Sequence, residues 1–321
     1  MMIPSRRIAL FLLVMGMATA PAAISARAAD KHVTADKPVV ADKHVVRDAL
    51  GVEVSLVTHP VRVVTLVPSL GELAADLVGE ELERIVGVSE LTDYPPALKK
   101  ATSIGRYDRF NIERVLGLKP DLVLATTDGN HRDQIERLRE LKIPVVVVST
   151  RTFDEVSKSM ILVGDALGEK ARGEQSAARF REGLSHLGKE AAKSASHPSV
   201  MLQVGTEPLV VVGGSSFLNE ALELLQAKNI YGDRKEGYPR PSLEDAVHRN
   251  PEQILVLAMS PDDTTLADAV KAWDRFPNMK AVKGKRVMLL KADALIRPSL
   301  RLLEGLSLLN KALRGETRER K

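Results

Sequence analysis

Short apolar runs alternate with segments of helical spacing along most of this 321-residue chain. Four continuous apolar runs predict buried strands, at residues 61–67, 85–88, 122–125 and 145–148. Three segments with helical spacing accompany them, at residues 72–78, 111–118 and 132–141. Because wholly apolar strands that alternate with helices are typical of a parallel sheet covered on both faces, these residues predict an N-terminal α/β lobe over 61–151.

A second series of the same kind begins at Val200 and predicts a C-terminal α/β lobe over 197–321. Apolar runs predict its strands, at residues 200–204, 209–212, 254–257 and 287–290. Helical spacing predicts its helices, at residues 217–225, 243–249 and 299–313. Two facing lobes of this kind leave a cleft between them, which is a common place for a small-molecule site.

The segment between the lobes, residues 152–196, contains no predicted strand. Thr152 and Glu155 have capping-box spacing, which marks a helix start. Helical spacing continues with a break near Gly168, and residues 169–195 are rich in Ala, Glu, Lys and Arg. The predicted fold is therefore α/β, with two lobes of mostly parallel sheet joined by a single long backbone helix. Since a helix resists bending, we expect the lobes to close only slightly on a ligand.

The N-terminus has the pattern of an export signal. Arg6 and Arg7 precede an apolar run over residues 8–17, and Ala26–Ala28 has the spacing of a cleavage site. Residues 1–28 are therefore predicted to be a signal peptide, and the protein to be periplasmic. The chain contains no cysteine, which excludes a lipid anchor at the cleavage site, disulfides and thiolate zinc sites.

Residues 29–60 are predicted to be a linker followed by a short hairpin around Gly51. The linker, over 29–48, repeats Ala-Asp-Lys-His-Val at residues 29–33 and 41–45 and has no apolar period. Its histidines, His32 and His44, are interpreted as solvated residues of this repeat in preference to metal ligands.

Charge and motifs restrict the possible functions. The formal net charge is +4, and basic residues are mixed with acidic ones along the chain, so no nucleic-acid partner is predicted. The sequence has no nucleophile elbow, no P-loop and no dinucleotide fingerprint. Its seven histidines lack metal-ligand spacing, and His131, which follows a predicted strand end, is interpreted as a surface residue. We therefore predict neither an enzyme nor a metal site.

Candidate ligand-binding residues follow from the rule that ligands bind beyond the carboxyl ends of strands in open α/β sheets. That rule places Pro68, Ser69 and Leu70 after the first strand, and Gly129 and Asn130 after the third. Four further candidates come from loops of both lobes: Leu91, Tyr94, Tyr107 and Tyr238. Tyr107 and Tyr238 are predicted to form aromatic walls. A glycine-serine segment, residues 213–216, is either an anion cradle or a plain turn.

From residue 62 to the C-terminal helix, the chain resembles the substrate-binding proteins of cobalamin, haem and ferric-siderophore importers. The resemblance is strongest to the periplasmic cobalamin (vitamin B12)-binding proteins. It rests on the ordered set of motifs RVVTLVPS at 62–69, TDYPP at 92–96, LKPDLV at 118–123, NIY at 229–231 and SLE at 242–244.

The resemblance implies a ligand and a role for several residues. Asp293 and Arg297 match an Asp–Arg pair that cobalamin binders present to the corrin, with a structural ion pair as the alternative. Tyr107 and Tyr238 stand where those proteins carry tryptophan, and Leu91 replaces a tyrosine. The expected ligand is cobalamin or a related corrinoid, with haem or a ferric siderophore as alternatives. No cofactor of the protein itself is expected.

The same resemblance implies a partner. In this family one glutamate on each lobe pairs with arginines of the permease, and Glu113 and Glu244 occupy the matching positions. The expected partners are therefore the permease and ATPase of an ABC importer, with the binding protein a monomer. Two alternatives remain from the sequence, an exported α/β enzyme and a sensor component that presents ligand to a membrane receptor.

Overall fold

The computed structural model describes residues 42–257, 265–290 and 293–316. The predicted signal peptide, residues 1–28, and the first part of the predicted linker, residues 29–41, lie outside the described residues. From Ala41 onward the chain forms one unit. Within the described residues, no helix is long and apolar enough to cross a membrane.

Twelve strands and ten helices are named here in chain order. The strands are β1 (Lys43–Arg47), β2 (Glu53–Val57), β3 (Val63–Thr65), β4 (Ile85–Val88), β5 (Thr102–Ser103), β6 (Leu122–Thr126), β7 (Val145–Val148), β8 (Ser199–Gly205), β9 (Val210–Val211), β10 (Lys228–Asn229), β11 (Gln253–Leu257) and β12 (Val287–Leu290). The helices are α1 (Pro68–Val78), α2 (Ile112–Gly117), α3 (Arg132–Glu140), α4 (Phe153–Leu167), α5 (Lys170–Ala191), α6 (Phe217–Leu224), α7 (Leu243–Arg249), α8 (Thr265–Lys271), α9 (Lys280–Lys283) and α10 (Leu302–Leu313).

The N-terminal lobe contains a five-stranded parallel sheet in the order β5-β4-β3-β6-β7. Strands β6 and β7 are buried along their whole length, as their unbroken apolar sequences predict. Strand β3 is shorter than predicted and ends at Thr65, because Pro68 begins α1. This early helix start brings the first turn of α1 to the carboxyl edge of the sheet.

The C-terminal lobe contains a second sheet, in which β10, β8, β11 and β12 are parallel and β9 pairs antiparallel with β8. Trp273 is buried on one face of this sheet, where its Nε1 donates to Gln203 Oε1 at 2.9 Å. The two sheets with their covering helices confirm the predicted two-lobed α/β class.

The segment between the lobes consists of two helices, which meet at the break that the sequence predicted near Gly168. Helix α4 ends at Gly168, whose φ of 78° is the left-handed conformation that glycine adopts readily. Helix α5 then folds back along α4, and the closest approach is at Gly164 and Gly173. A Cβ added to Gly164 would lie 2.7 Å from the Gly173 Cα, so the crossing requires small residues.

Helix α5 alone carries the chain from one lobe to the other. Near its start, Arg172 Nη1 donates to the Leu77 carbonyl of α1 at 2.8 Å. Near its end, Arg314 Nη2 donates to the Glu190 carbonyl at 3.2 Å, which ties α5 to the C-terminal lobe. Its 22 residues span about 33 Å. The connection is therefore a single rigid helix, as predicted, with α4 belonging to the N-terminal lobe.

The hairpin begins earlier than the sequence predicted. Strand β1, which pairs antiparallel with β2, lies within the stretch interpreted as linker. His44 is half-buried in it and its Nε2 lies 3.0 Å from the Asp165 carbonyl of α4, so the interpretation as a solvated residue was wrong. The turn after β1 donates Ala49 N–H to the Val147 carbonyl at 2.8 Å and thereby covers the edge of β7.

Candidate functional site

A cleft of about 670 Å³ lies between the two lobes, beyond the carboxyl ends of their parallel strands. This volume is within the range of small-molecule sites. The N-terminal lobe contributes Val67, Pro68, Ser69, Leu91, Tyr107, Thr126, Asp128, Gly129, Thr150 and Arg151 to its lining. The C-terminal lobe contributes Val204, Ser215, Ser216, Phe217, Leu218, Lys235, Gly237, Tyr238, Ile296, Arg297 and Pro298.

Tyr107 is held in the wall of the N-terminal lobe by the segment that follows β6. The Asn130 side-chain amide donates to the Tyr107 carbonyl at 2.7 Å, and its Oδ1 accepts Thr126 N–H at 3.0 Å. Gly129 lies directly against the ring, since an added Cβ would stand 3.3 Å from Tyr107 Cδ2. The loop after β6 thus fixes both the backbone and the ring of Tyr107.

Asp128 and Arg151 form an ion pair at the ends of β6 and β7. Arg151 Nε donates to Asp128 Oδ1 at 2.7 Å, and Asp128 Oδ2 accepts Thr150 N–H at 3.3 Å. The hydrogen bond to Asp128 raises the pKa of Arg151, and the charge of the carboxylate adds to the rise. The guanidinium of Arg151 is therefore already neutralised by a neighbour in the same wall.

The facing wall contains hydroxyl groups around the start of α6. Ser216 caps α6 by accepting Leu218 N–H at 3.2 Å, and Tyr238 OH lies 3.4 Å from its Oγ. Tyr238 keeps 48% of its surface exposed. Even so, desolvation by the cleft walls raises the pKa of its hydroxyl, and Asp128 in the opposite lobe raises it further. Tyr238 thus enters the cleft as a neutral phenol.

Arg297 lies at the boundary between the lobes and is almost completely buried, with 6% of its surface exposed. Its Nη1 donates to Glu72 Oε1 at 2.8 Å and to Asp93 Oδ1 at 2.6 Å, both in the N-terminal lobe. Burial acts to lower the pKa of Arg297, but the hydrogen bonds to Asp93 and Glu72 outweigh it and raise the pKa. Arg297 and Glu72 are both buried, and leaving either of them without its partner would cost about 3–5 kcal/mol.

The protein-family model described as periplasmic binding protein matches residues 63–294 of this chain. The chain belongs to the periplasmic binding protein family. A vitamin B12-binding protein of Pectobacterium carotovorum subsp. carotovorum is 32% identical over 207 residues, which cover 63% of this chain and 73% of that protein. An uncharacterised ABC transporter substrate-binding lipoprotein of Bacillus subtilis, YvrC, is 31% identical over 278 residues, which cover 84% and 85% of the two chains.

Among solved structures, a periplasmic haem-binding protein from Pseudomonas aeruginosa matches with a TM-score of 0.70 and 26% identity, covering 81% of this chain and 94% of that one. All three relatives are named as binding proteins, for vitamin B12, for a transporter substrate and for haem. The resemblance that the sequence predicted is therefore confirmed, and this periplasmic binding protein is not an enzyme.

Seven of the sequence-predicted ligand-binding residues line the cleft of this periplasmic binding protein: Pro68, Ser69, Leu91, Tyr107, Gly129, Tyr238 and Arg297. Four others lie outside that lining. Leu70 is buried in the core, because α1 begins at Pro68 and turns the third helical position inward. Tyr94 stacks on Arg301, with its ring centroid 3.8 Å from the guanidinium carbon. The Asn130 side chain forms hydrogen bonds with backbone groups, and Asp293 Oδ2 accepts a hydrogen bond from Arg301 Nη2 at 3.2 Å.

The predicted Asp293–Arg297 pair is weak in this binding protein. The nearest nitrogen–oxygen distance is 3.8 Å, whereas Arg297 lies within hydrogen-bonding distance of Glu72 and Asp93. Spacing of i,i+4 suggested a local pair, but the stronger partners come from the other lobe. Arg297 thus contacts the cleft mainly as part of a structural ion-pair cluster.

Several lining residues were not predicted. Thr150 and Arg151 lie in the segment that follows β7, so the strand-end rule that identified Ser69 applies to them as well. Ser215 and Ser216 belong to the glycine-serine segment that was interpreted as an anion cradle or a turn, and Ser216 proves to be a helix cap. Lys235 precedes Tyr238 in the same loop, and no pattern in the sequence distinguishes it from other surface lysines.

Two groups of side chains in the described residues have the geometry of metal ligands. One consists of His59, Glu81 and Glu169, and the other of Glu72, Asp93 and Asp293. Each contains a guanidinium that already pairs with two of its carboxylates, Arg84 in the first and Arg297 in the second. His131 is exposed at the start of α3 and is not part of the described cleft lining.

Glu113 and Glu244 are exposed residues in the first turns of α2 and α7, one in each lobe. Neither carboxylate forms an ion pair with another described residue. Hydrogen bonds from the helix start, including one from Ser242, lower the pKa of Glu244. Both glutamates are therefore available for a partner outside the chain.

Proposed function

We propose that this protein is the periplasmic substrate-binding protein of an ABC importer, and that it captures cobalamin or a related corrinoid between its lobes. The family match and the substrate-binding relatives of ABC transporters support the general role. Kinship with vitamin B12-binding proteins supports the corrinoid. The observation that carries the choice of ligand is the charge state of the cleft lining.

Apart from Lys235, the lining offers hydrogen-bonding groups that are neutral or already ion-paired within the protein. Hydroxyls come from both walls, on Ser69, Tyr107, Thr126, Thr150, Ser215, Ser216 and Tyr238. Arg151 and Arg297, which could otherwise receive anions, are paired with Asp128 and with Glu72 and Asp93. Such a surface suits the uncharged amides at the rim of a corrin. It suits the two carboxylates of haem less well, because their desolvation requires unpaired cations, and Lys235 is the one lining cation without an ion pair among the described residues.

The aromatic side chains suit a flat ligand. Tyr107 and Tyr238 stand on opposite lobes, and each presents part of its ring to the cleft. A planar macrocycle between them would gain stacking contacts on both faces. The cobalt belongs to the cargo, so the protein itself needs no metal ligand.

Export and delivery complete the proposal. The predicted signal peptide over residues 1–28 would place the protein in the periplasm. The exposed carboxylates of Glu113 and Glu244, one on each lobe, would then steer docking on the permease of the importer, whose ATPase drives uptake.

Titration of the purified protein with cyanocobalamin, haemin and a ferric hydroxamate siderophore tests this function. We expect saturable one-to-one binding of cyanocobalamin that is tighter than binding of either other ligand. Saturable haemin binding without cyanocobalamin binding would make haem the cargo. Binding of none of the three would contradict the proposed ligand class.

A further inference from the structure

A buried carboxylate of one lobe is bound by three side chains of the other. Glu72, in α1, has only 4% of its surface exposed. Its Oε1 accepts Arg297 Nη1 and Arg301 Nη1, each at 2.8 Å, and its Oε2 accepts Ser299 Oγ at 2.9 Å. All three donors lie in the segment that leads into α10, in the C-terminal lobe. Glu72 therefore holds the two lobes together next to the cleft.

The same two arginines also hold the loop that follows β4. Arg297 Nη1 donates to Asp93 Oδ1 at 2.6 Å, and its Nη2 donates to the Leu91 carbonyl at 3.2 Å. Arg301 stacks on the Tyr94 ring at 3.8 Å. The Leu91–Tyr94 loop is thus attached at three points to the opposite lobe, while 44% of the Leu91 surface remains exposed and lines the cleft.

These contacts leave Arg297 little capacity for a ligand. Its guanidinium already serves two carboxylates and a carbonyl, all from the N-terminal lobe. A ligand group could reach the positive charge only by displacing Asp93, the more exposed of the two carboxylates. The arrangement therefore fits a residue that positions the cleft wall.

We propose that Glu72, Asp93, Arg297 and Arg301 form an inter-lobe latch, and that Arg297 and Arg301 are positioning residues that hold the Leu91–Tyr94 loop in the ligand-binding wall. The latch lies at the β12 end of the cleft, close to the β4 loop. It limits movement of the lobes at that end, in addition to the stiffness of α5. The consequence for ligand binding rests on the proposed function, whereas the consequence for the loop does not.

The Asp93→Asn variant tests the latch, because it removes one charge from the cluster and leaves Glu72 in place. We expect hydrogen–deuterium exchange of the amides in the Leu91–Tyr94 loop to become at least several-fold faster in the ligand-free protein. We also expect the dissociation rate of cyanocobalamin to rise about tenfold, as for the loss of a charged hydrogen bond. The Asp93→Glu variant should restore part of both effects, since it restores the carboxylate.

If Arg297 instead contacted the ligand directly, the Asp93→Asn variant would have the opposite effect on cyanocobalamin binding. Removing the Asp93 charge would then free Arg297, tighten cyanocobalamin binding and leave amide exchange in the ligand-free loop unchanged. Either of these results would overturn the proposal. The matched control is Asp154→Asn, which removes an exposed partner of Lys158 and should change neither measurement. If the wild-type protein bound no cyanocobalamin, the proposed function would fail, and the exchange measurement would still decide the latch.

Discussion

The Tyr107 ring packs against Gly129, and the distance from its Cδ2 to a Cβ added there would be 3.3 Å. The contact is close enough that a methyl group must shift the ring by a few tenths of an ångström. Gly129 therefore determines how far Tyr107 projects into the cleft, and Asn130 fixes the backbone of Tyr107 at the same point.

The Gly129→Ala variant should bind cyanocobalamin more weakly and unfold at nearly the same denaturant concentration as the wild type. A displaced Tyr107 ring can lose its stacking on the ligand, which contributes about 0.5–1.5 kcal/mol. This loss corresponds to a decrease in affinity of at most about tenfold. Isothermal titration calorimetry and urea unfolding measure the two quantities. Gly117→Ala is the control, because no atom outside the local backbone of α2 lies within 4 Å of its added Cβ. Unchanged affinity in Gly129→Ala would remove Tyr107 from the binding wall.

The Asp128→Asn variant should change the preference of the cleft for charged ligands. It removes the carboxylate that neutralises Arg151 and leaves the guanidinium free for an anion. We expect the affinity for haemin relative to cyanocobalamin to rise about tenfold, the value of one hydrogen bond between charged groups. Competition titrations with the two ligands measure this ratio. Asp233→Asn, which removes a partner of Arg249, should leave the ratio unchanged. A ratio that falls in Asp128→Asn would refute the charge argument.

The double variant Glu113→Ala plus Glu244→Ala should abolish cobalamin-dependent growth while cyanocobalamin binding to the purified protein stays intact. Both carboxylates are exposed at helix starts and are far more suited to steering a partner than to holding the fold. Glu83→Ala plus Glu304→Ala removes two other exposed glutamates, again one in each lobe, and should support normal growth. If the first double variant lost ligand binding as well, the docking assignment would be wrong.

Glu220→Gln should change how stability depends on pH. Burial raises the pKa of Glu220 above its ordinary value of 4.5, although the hydrogen bond from Phe153 N–H acts in the other direction. The folded state therefore binds this proton more tightly than the unfolded state, and stability is lost as pH rises from 4.5 through the folded pKa. Because glutamine does not ionise, the Glu220→Gln variant does not lose stability in this way. Urea unfolding from below pH 4.5 to neutral pH should show the variant gaining stability relative to the wild type as pH rises. Parallel curves would contradict the assignment.

Gly164→Ala should destabilise the junction between α4 and α5. The added methyl would meet the Gly173 Cα at 2.7 Å and the Glu169 carbonyl at 3.0 Å, which are backbone atoms that cannot rotate away. Overpacking of this kind costs about 1–3 kcal/mol. Chemical denaturation measures the loss in free energy of unfolding. A variant as stable as the wild type would show that α4 and α5 can separate at no cost.

The order of elements was predictable because each depends on local sequence. The predicted boundaries of β4, β7, α7 and β12 agree with the structure at both ends. A strand in which every residue is apolar must be covered on both faces, which indicates a buried strand of a parallel sheet. The break between α4 and α5 follows from the left-handed conformation that glycine permits at Gly168. Short elements such as β5 and β10 escaped prediction, because two residues carry no period.

A third of the cleft lining was located from the sequence, and part of it for the same local reason. Ser69 and Gly129 lie in the segments that follow β3 and β6, and parallel strands end at one edge of a sheet. Leu70 shows the limit of that rule, since the rotation of a single helical turn decides which of two neighbours faces the cleft and which enters the core.

By itself, the sequence determined the two-lobed α/β fold, the single helical connection, the family and the positions of the exposed glutamates. Only the tertiary structure decided what Arg297 does, because its partner Glu72 lies 225 residues away and belongs to the other lobe. The spacing of residues in the sequence does not show which distant residues come into contact on folding. A guanidinium whose partners are not evident from the sequence can therefore have all its hydrogen bonds made in the structure. Its pairing is a consequence of burial, since a charge removed from water must find a counter-charge wherever the fold provides one.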